Sequence, residues 1–296
     1  MDNLRGATLM VLAMLGFAIE DSFIKLMGDA LPVGQILMML GAGGALVFAV
    51  VVLLQGRALF EREMLTTPVL LRAVGEIFGT MCFISAIVFT PLSTASAILQ
   101  ATPLVVTLGA ALFLGEAVGW RRWAAISVGF MGVLMIIRPG LDGFSPLSLF
   151  AVGGVFGLAL RDISTRKIPQ TLSSMQLSFL GFVVLIPAGV ALLWITDQSM
   201  APLDARLWLL IAASIGIGVF AYYGIVAAMR VGEVSFVTPF RYSRLIFAMV
   251  IGVAFFGERP DALTVLGGGI IVASGIYTVL RERKHRLKAA MTPSKP

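Results

Sequence analysis

The sequence is a series of long apolar runs, each about twenty residues, joined by short polar connections. A helix of this length crosses the hydrocarbon core of a bilayer. Only helices and closed β-barrels can span lipid, and barrel strands would alternate apolar and polar residues. The sequence therefore predicts an all-α integral membrane protein with ten transmembrane helices. The ten predicted spans are Leu4–Met27, Val33–Leu54, Leu70–Phe89, Leu92–Leu114, Trp123–Ile137, Leu147–Ser164, Met175–Ile195, Leu207–Ala228, Val234–Phe256 and Leu263–Leu280.

The composition excludes a soluble protein. Of the 296 residues, 58% are apolar and only 13% are charged, against about 25% charged residues in a typical soluble domain. So few polar side chains cannot cover the surface of a water-soluble fold. Cys82 and His285 are the sole cysteine and histidine, so the sequence predicts no disulfide framework, no metal site and no cofactor.

The basic residues predict the orientation of the spans. With the N-terminus inside, fourteen of the 22 Lys and Arg residues flank inner helix ends, three flank outer ends and five lie within spans. Cytoplasmic loops carry such an excess of basic residues, so both termini are predicted to be cytoplasmic. The predicted location is the cell (inner or plasma) membrane. The net charge of +6 then reflects topology and contact with anionic lipid, and no nucleic-acid partner is predicted.

The two halves of the chain resemble each other at an offset of 141–142 residues. Gly16–Asp21 aligns with Gly157–Asp162, and Phe113–Glu116 aligns with Phe255–Glu258. Since each half has five spans, the second must be inserted upside down relative to the first. Inverted repeats are typical of secondary transporters with a site near the midplane. The predicted units are a first repeat over 1–140, a second over 141–284 and a basic cytoplasmic tail over 285–296.

Two motifs extend this pattern to a known family. The first is Pro91–Ala97 followed by Pro103 and Leu114–Glu116; the second is Pro239–Arg244 followed by Phe256–Pro260 and Gly267–Gly269. With these in register, the chain resembles the ten-helix EamA type of the drug/metabolite transporter superfamily. The resemblance implies a substrate among amino acids, nucleotide- or vitamin-like metabolites and sugars.

Two arginines lie close to the membrane midplane in the ninth span. Arg241 and Arg244 are three residues apart on neighbouring helix faces, too deep to reach the interface easily. A guanidinium suits carboxylate or phosphate, so one reading is a clamp for a substrate anion. The other reading is internal pairing with the acids Glu20, Asp21, Glu76 or Asp162.

Polar aromatic and amide side chains extend the predicted substrate site. Gln100 in the fourth span is the repeat equivalent of Tyr242, and the two are predicted to face each other across the pseudo-axis. An ordinary interhelical contact is the alternative. Tyr222 and Tyr223 are further candidates, and since adjacent helical residues point about 100° apart, only one is expected to face inward.

The remaining charged residues within the spans are predicted to serve coupling or gating. Adjacent Glu20 and Asp21 would raise each other's pKa in a dry cavity, which suits a proton carrier. Arg161 and Asp162 are their repeat equivalents, with the sign reversed at the first position. Asp21 and Asp162 each precede a basic residue, Lys25 and Arg166, by four positions, which predicts structural pairs.

A third pair of charges lies in the third span, where Arg72 and Glu76 share a helix face as a gating pair or a structural pair. Glu116 and Glu258 end their helices beside glycine and are predicted to form turns or close gates. Pro103 and Pro239 are predicted to bend the two repeat-related helices that carry the site.

These features favour a secondary carrier for a small organic metabolite, carboxylate-bearing or zwitterionic, working by alternating access. No phosphate-binding loop is present for a pump, and no cluster of acids or histidines for a membrane enzyme, so no catalytic residue is predicted. A channel or an uncoupled facilitator is the main alternative, with an integral-membrane enzyme behind it. Substrate identity, direction, proton coupling and a homodimeric state stay open.

Overall fold

In this computed structural model residues 2–113, 119–141, 144–169, 171–231 and 234–291 are described, and they form helices and connections without a β-strand. The α-helices are α1 (Asp2–Gly28), α2 (Val33–Leu54), α3 (Thr67–Phe89), α4 (Leu92–Leu99), α5 (Thr102–Phe113), α6 (Trp120–Ile137), α7 (Ser148–Thr165), α8 (Ser174–Ile195), α9 (Ala205–Val231), α10 (Val234–Val237), α11 (Ser243–Phe256) and α12 (Ala262–Met291). Short 3-10 segments cover Arg62–Leu65 and Thr238–Tyr242.

The helices supply the predicted number of spans. Within the described residues, nine segments are long and apolar enough to cross a bilayer, and Trp123–Ile137 in α6 is a shorter apolar helix. The predicted all-α membrane fold with ten spans is thereby confirmed. The connections between helices are short where the structure describes them, and none of these described connections forms a separate domain.

Two spans are interrupted at equivalent points. The fourth span divides into α4 and α5 at Gln100 and Ala101, just before Pro103. The ninth divides into α10 and α11 around the 3-10 segment that contains Pro239. Proline has no N–H group to donate to the preceding turn, and its ring displaces that turn's carbonyl. Both repeat-related helices are therefore interrupted near the prolines that were predicted to bend them.

The packing of the helices follows an inverted repeat. The contacts of α1 with α9 correspond to those of α7 with α3, and each is among the most extensive in the molecule. On the pseudo-axis, α2 packs on α8 and α6 on α12, each with its own repeat equivalent, and α4 of the fourth span packs on α11 of the equivalent ninth span. The short helix α4 is almost completely buried and lies at the centre of the bundle. The two halves thus share one interior.

Small residues bring the main helix pairs into backbone contact. A Cβ atom added at Gly157 of α7 would lie 2.4 Å from the backbone of Gly79 in α3, so only glycine fits there. In the equivalent pair, a Cβ atom at Gly16 of α1 would lie 3.0 Å from the Cβ atom of Ala221 in α9. Such close approach is typical of membrane helices, whose association relies on close packing of small residues. It also fixes which residues of the facing helices meet.

Candidate substrate site

The ninth span contributes two arginines with different surroundings. Arg244, in the first turn of α11, forms a fork with Asp21 of α1, with Nη2 2.7 and 2.8 Å from the carboxylate oxygens and Nε 3.1 Å from one of them. The guanidinium also lies near the rings of Phe17 and Phe83, at 5.1 and 5.4 Å from their centroids. Asp21 is only 2% exposed. Of the two interpretations of Arg244, a clamp for the substrate anion or a pair with an internal acid, the structure shows the internal pair.

The pairing of Asp21 corrects one prediction. Asp21 was expected to pair with Lys25, one turn along α1. Instead the Lys25 amine donates to the carbonyl oxygens of Ile87 and Thr90, at 3.1 and 2.7 Å. Lys25 lies near the end of α1, where the unpaired carbonyls that end α3 are within its reach. Asp21 is left to Arg244, the stronger planar partner.

A second ionic group joins α3 to α7. Glu76 accepts from Arg161 at 3.2 Å and lies 3.5 Å from Arg72, and Arg161 also donates to Asp162 at 2.9 Å. This confirms that Arg72 and Glu76 share a face and pair. Two acids and two bases balance within the group, so it is neutral as a whole. Arg72 still has Nε and Nη1 without a hydrogen-bond partner in the described part of the chain.

Arg241 differs from Arg244 in having no carboxylate in contact. It lies in the 3-10 segment that interrupts the ninth span, and its side chain is exposed. Asp162 is the acid that attracts it most, but no ion pair within 4 Å of Arg241 occurs among the described residues. Its guanidinium is therefore available to a ligand.

Glu20 of α1 is an acidic residue that, like Arg241, has no ion pair in the described part of the chain. Its carboxylate lies against Gly218 of α9, where an added Cβ atom would be 2.6 Å from Oε1. Its nearest charged neighbours are Asp21, which repels it, and Arg244, which attracts it but is held by Asp21. In the described residues Glu20 makes neither a hydrogen bond nor an ion pair. Gly218 was not singled out from the sequence, because a glycine among 32 glycines carries no signal of its own.

Gln100 and Tyr242 do not face each other, contrary to the prediction. The Gln100 amide donates to the backbone carbonyl of Arg241 at 3.5 Å. The Tyr242 side chain is buried against α12, in the space that Gly275 leaves open. A 3-10 segment advances 120° per residue rather than 100°, so it turns the Tyr242 ring away from the pseudo-axis. Gln100 thus supports the backbone that carries Arg241.

The adjacent tyrosines of α9 point in different directions, as expected. The Tyr222 hydroxyl hydrogen-bonds the Ser178 hydroxyl, and its ring packs edge-on against Phe48 at 5.2 Å. Tyr223 is 65% exposed, on the same outer face as Phe220 and Leu209. Tyr222 is therefore the inward residue, and Tyr223 lies away from the charged groups and is not carried into the proposed site.

One end of the bundle is closed by contacts between the halves. Glu258, which follows α11, accepts from the backbone N–H groups of Leu92 and Ser93 and from the Ser93 hydroxyl. These N–H groups begin α4, where a carboxylate is favoured by the helix dipole. The prediction that Glu258 closes a gate therefore has a specific set of contacts. Its repeat equivalent Glu116 lies outside the described residues.

Sequence comparison places this architecture among known proteins. A model described as the EamA-like transporter family matches residues 4–138 and again residues 146–280. The chain belongs to the EamA-like transporter family. A riboflavin transporter of Vibrio cholerae is 30% identical over 288 residues, covering 95% of each chain. A pseudopaline exporter of Pseudomonas aeruginosa is 29% identical, covering 92% of this chain and 94% of the relative.

Two further matches support the same assignment. An S-adenosylmethionine uptake transporter of Rickettsia prowazekii is 26% identical over 72% of each chain. A solved crystal structure aligns with a TM-score of 0.59 over 95% of this chain and 98% of its own, at 19% identity, which supports the fold. This EamA-family protein is a multi-pass membrane transporter of small molecules and not an enzyme. The two family matches cover one repeat each, and the charged groups described above come from both.

Proposed function

We propose that this EamA-family transporter is a secondary carrier that moves a small organic metabolite bearing a carboxylate, alone or within a zwitterion, by alternating access. The observation that carries the proposal is Arg241, an exposed arginine at the interruption of the ninth span that makes no ion pair with the described residues. A charge inside the membrane is costly unless it is paired or hydrated. A substrate anion would supply that pairing.

The surroundings of Arg241 support a binding role. The planar guanidinium offers five donors in a fork that matches a carboxylate. Gln100 holds the Arg241 backbone, and the Asp21–Arg244 pair ties α1 to α11 one turn away. Tyr222 contributes a hydroxyl near the Arg72 group. Arg244 then has the role of positioning the ninth span, while Arg241 contacts the substrate.

Alternating access is supported by the interrupted spans and the closed end. Discontinuous helices at repeat-related positions are typical of carriers whose repeats rock around a central site. Glu258 and Lys25 close the end that carries the α3–α4 and α11–α12 connections. With the N-terminus inside, as predicted, this is the outer end, and the conformation is inward-facing. The boundaries 1–140, 141–284 and 285–296 remain our proposed division into moving units and tail.

The relatives suggest a first panel of substrates. Their names give riboflavin, S-adenosylmethionine and pseudopaline as cargo, and we propose to test these three together with amino acids. One relative is named for uptake and another for export. The direction of transport is therefore to be measured and is not assumed.

The test is flux in proteoliposomes containing the full chain. We expect saturable uptake of one panel compound that is accelerated by the same compound inside the vesicles, since a carrier returns faster when loaded. A channel would show no such stimulation. Arg241→Gln should raise the concentration for half-maximal transport about tenfold to a hundredfold, the effect of losing one charged hydrogen-bonding pair.

The matched control is Arg206→Gln, which removes an exposed arginine at the start of α9. This variant should transport as the unmodified protein does. If Arg241→Gln transports with unchanged affinity while folding normally, the anion site is elsewhere.

Proton coupling by Glu20 or Asp21 stays a separate prediction. Because Asp21 is held by Arg244, Glu20 is the better candidate of the two. If Glu20 carries a proton, a pH gradient imposed across the vesicle membrane drives accumulation of the substrate. Rates that are insensitive to the gradient would remove the coupling and leave an exchanger or facilitator.

A further inference from the structure

The register between the two halves can be read from the close helix contacts. Gly157 of α7 meets Gly79 of α3, and its equivalent Gly16 of α1 meets Ala221 of α9. Gly157 follows Gly16 by 141 positions, and Ala221 follows Gly79 by 142. Residues of α3 therefore correspond to those of α9 at an offset of 142. The inverted repeat makes the two helix pairs comparable residue by residue.

One position of this comparison differs in charge. At the α3–α7 contact, Glu76 and Arg161 form an ion pair of 3.2 Å. The equivalent residues at the α9–α1 contact are Gly218 and Glu20. They also lie against each other, since a Cβ atom at Gly218 would be 2.6 Å from the Glu20 carboxylate. At the α9–α1 contact, glycine therefore stands where α3 has the acid, and an acid stands where α7 has the base, so Glu20 has no basic partner on α9 at this position.

Among the described residues, the charges deep in the bundle balance except at two. Asp21 with Arg244 is a neutral pair, and the α3–α7 group of two acids and two bases is also neutral. Lys25 lies at a helix end, where it binds carbonyl oxygens. Glu20 and Arg241 remain, one of each sign. In the described residues neither has an ion pair within 4 Å, and both are partly or largely exposed.

We propose that Glu20 binds the cationic group of the substrate, in a subsite that Gly218 shapes by letting the carboxylate lie against α9. This rests on the proposed function, in which Arg241 binds the anionic group. The substrate is then a zwitterion, and its two charges neutralise the charges of Glu20 and Arg241. The alternative occupant is a proton. A protonated Glu20 would need a hydrogen-bond acceptor for its O–H group, and it would leave the positive charge of Arg241 without a counter-charge in the empty carrier. The geometry thus favours an organic cation over a proton as occupant.

The experiment uses the full chain in lipid nanodiscs and a panel of matched probes. Each probe is an ω-amino carboxylate, from glycine to 6-aminohexanoate, and its partner is the N-acetyl derivative, which keeps the carboxylate and loses the positive charge. Affinity is measured from the shift of the thermal unfolding midpoint with probe concentration. We expect at least one zwitterion to bind more tightly than its N-acetyl partner.

Two variants connect this discrimination to the subsite. Glu20→Gln keeps the size of the side chain and should lower the affinity for the zwitterion about thirtyfold or more, with little effect on the N-acetyl partner. Gly218→Ala, which must displace the Glu20 carboxylate, should lower it several-fold in the same selective way. Gly216→Ala, two residues away with open space around it, should leave both affinities unchanged.

The outcomes separate this inference from the proposed function. Loss of both probes in Arg241→Gln, with Glu20→Gln unchanged, would keep the anion site and overturn the cation subsite. The cation subsite would also be overturned if the zwitterion and its N-acetyl partner bound with equal affinity, or if no zwitterion of the panel bound. The affinity of Glu20→Gln for the zwitterion is also compared with that of the unmodified protein at low pH, where Glu20 is protonated. If the two affinities are equally high, Glu20 binds a proton and not the cationic group of the substrate. A Glu20-dependent preference for the zwitterion that survives in Arg241→Gln would contradict the proposed anion site and leave the cation subsite standing.

Discussion

The most buried ion pair among the described residues joins Asp21 to Arg244, and its energetic role differs from that of a surface pair. The carboxylate is 2% exposed and accepts a fork of three contacts, with aromatic rings near the guanidinium. Desolvation offsets much of the attraction in such a pair, so its net contribution is small. Removing one partner has a much larger effect than removing both, because the remaining charge is left buried.

This argument predicts a non-additive pair of substitutions. Asp21→Asn should lower the free energy of unfolding by about 3 kcal/mol, whereas Asp21→Asn combined with Arg244→Gln should recover most of the loss. Thermal unfolding in detergent measures the difference, with Asp29→Asn as the control for removing an exposed acid from the turn that follows the same helix. A double variant as unstable as the single one would show that the pair contributes through attraction and not through mutual neutralisation.

A second single-residue prediction concerns Asp261, in the connection before α12. Hydrogen bonds from Arg138 and from Thr264 lower its pKa from the usual 3.8 to about 2. A depressed pKa in the folded state gives stability that is complete above pH 4 and is lost as the pH falls towards 2. Since the Asp261 side chain is 48% exposed, water screens the pair, and we expect about 1 kcal/mol or less.

Asp261→Asn should therefore be less stable than the unmodified protein at pH 6, and the difference should shrink as the pH falls from 4 to 2. The control is Asp204→Asn. Asp204 likewise accepts from the backbone N–H group of Leu207 near the start of a helix, but has no arginine bonded to it in the described structure. The two variants should lose helix capping alike. An equal pH dependence in both would show that Arg138 contributes nothing.

At the scale of helices, the closure of the bundle depends on the first turn of α4. Its N–H groups have no partner within the helix, and Glu258 supplies one from the other half of the chain. A carboxylate at this position gains both hydrogen bonds and the helix dipole. The contact is strong and local, so under the proposed alternating access it can hold this end closed and still be exchanged for water in the open conformation.

Glu258→Gln should shift the protein towards the conformation that is open at this end. The neutral amide cannot match the charged acceptor, and the expected loss of about 1–2 kcal/mol changes the ratio of the two conformations about tenfold. Spin labels at the exposed positions Pro91 and Ala262, in a Cys82→Ala background, report the separation of the two sides. We expect longer distances in Glu258→Gln than in Arg259→Gln, which removes the neighbouring charge. Identical distance distributions would assign the closure to other contacts.

For the whole molecule, the number of spans and the repeat could be predicted because the bilayer thickness and the two-fold arrangement act on long stretches of sequence. The prolines at 103 and 239 also predicted where two spans break. The ionic contacts could not be predicted in this way. Whether Glu20 or Asp21 reaches Arg244 depends on a rotation of 100° around α1, and the direction of Tyr242 depends on a 3-10 segment. The importance of Gly218 emerges only when the two repeats are aligned, because its equivalent position in the first repeat is Glu76.

The same inverted arrangement makes the orientation of the whole chain a testable consequence. Each repeat would fit the membrane either way up, so the basic residues must select one orientation. Fourteen of them flank the ends predicted to be cytoplasmic and three flank the opposite ends. We expect a green fluorescent protein fused after Pro296 to fluoresce and alkaline phosphatase fused there to be inactive. Fusions after Asp197, in the α8–α9 connection, should behave in the opposite way. Active phosphatase at the C-terminus would reverse the topology, and the end closed by Glu258 would then face the cytoplasm.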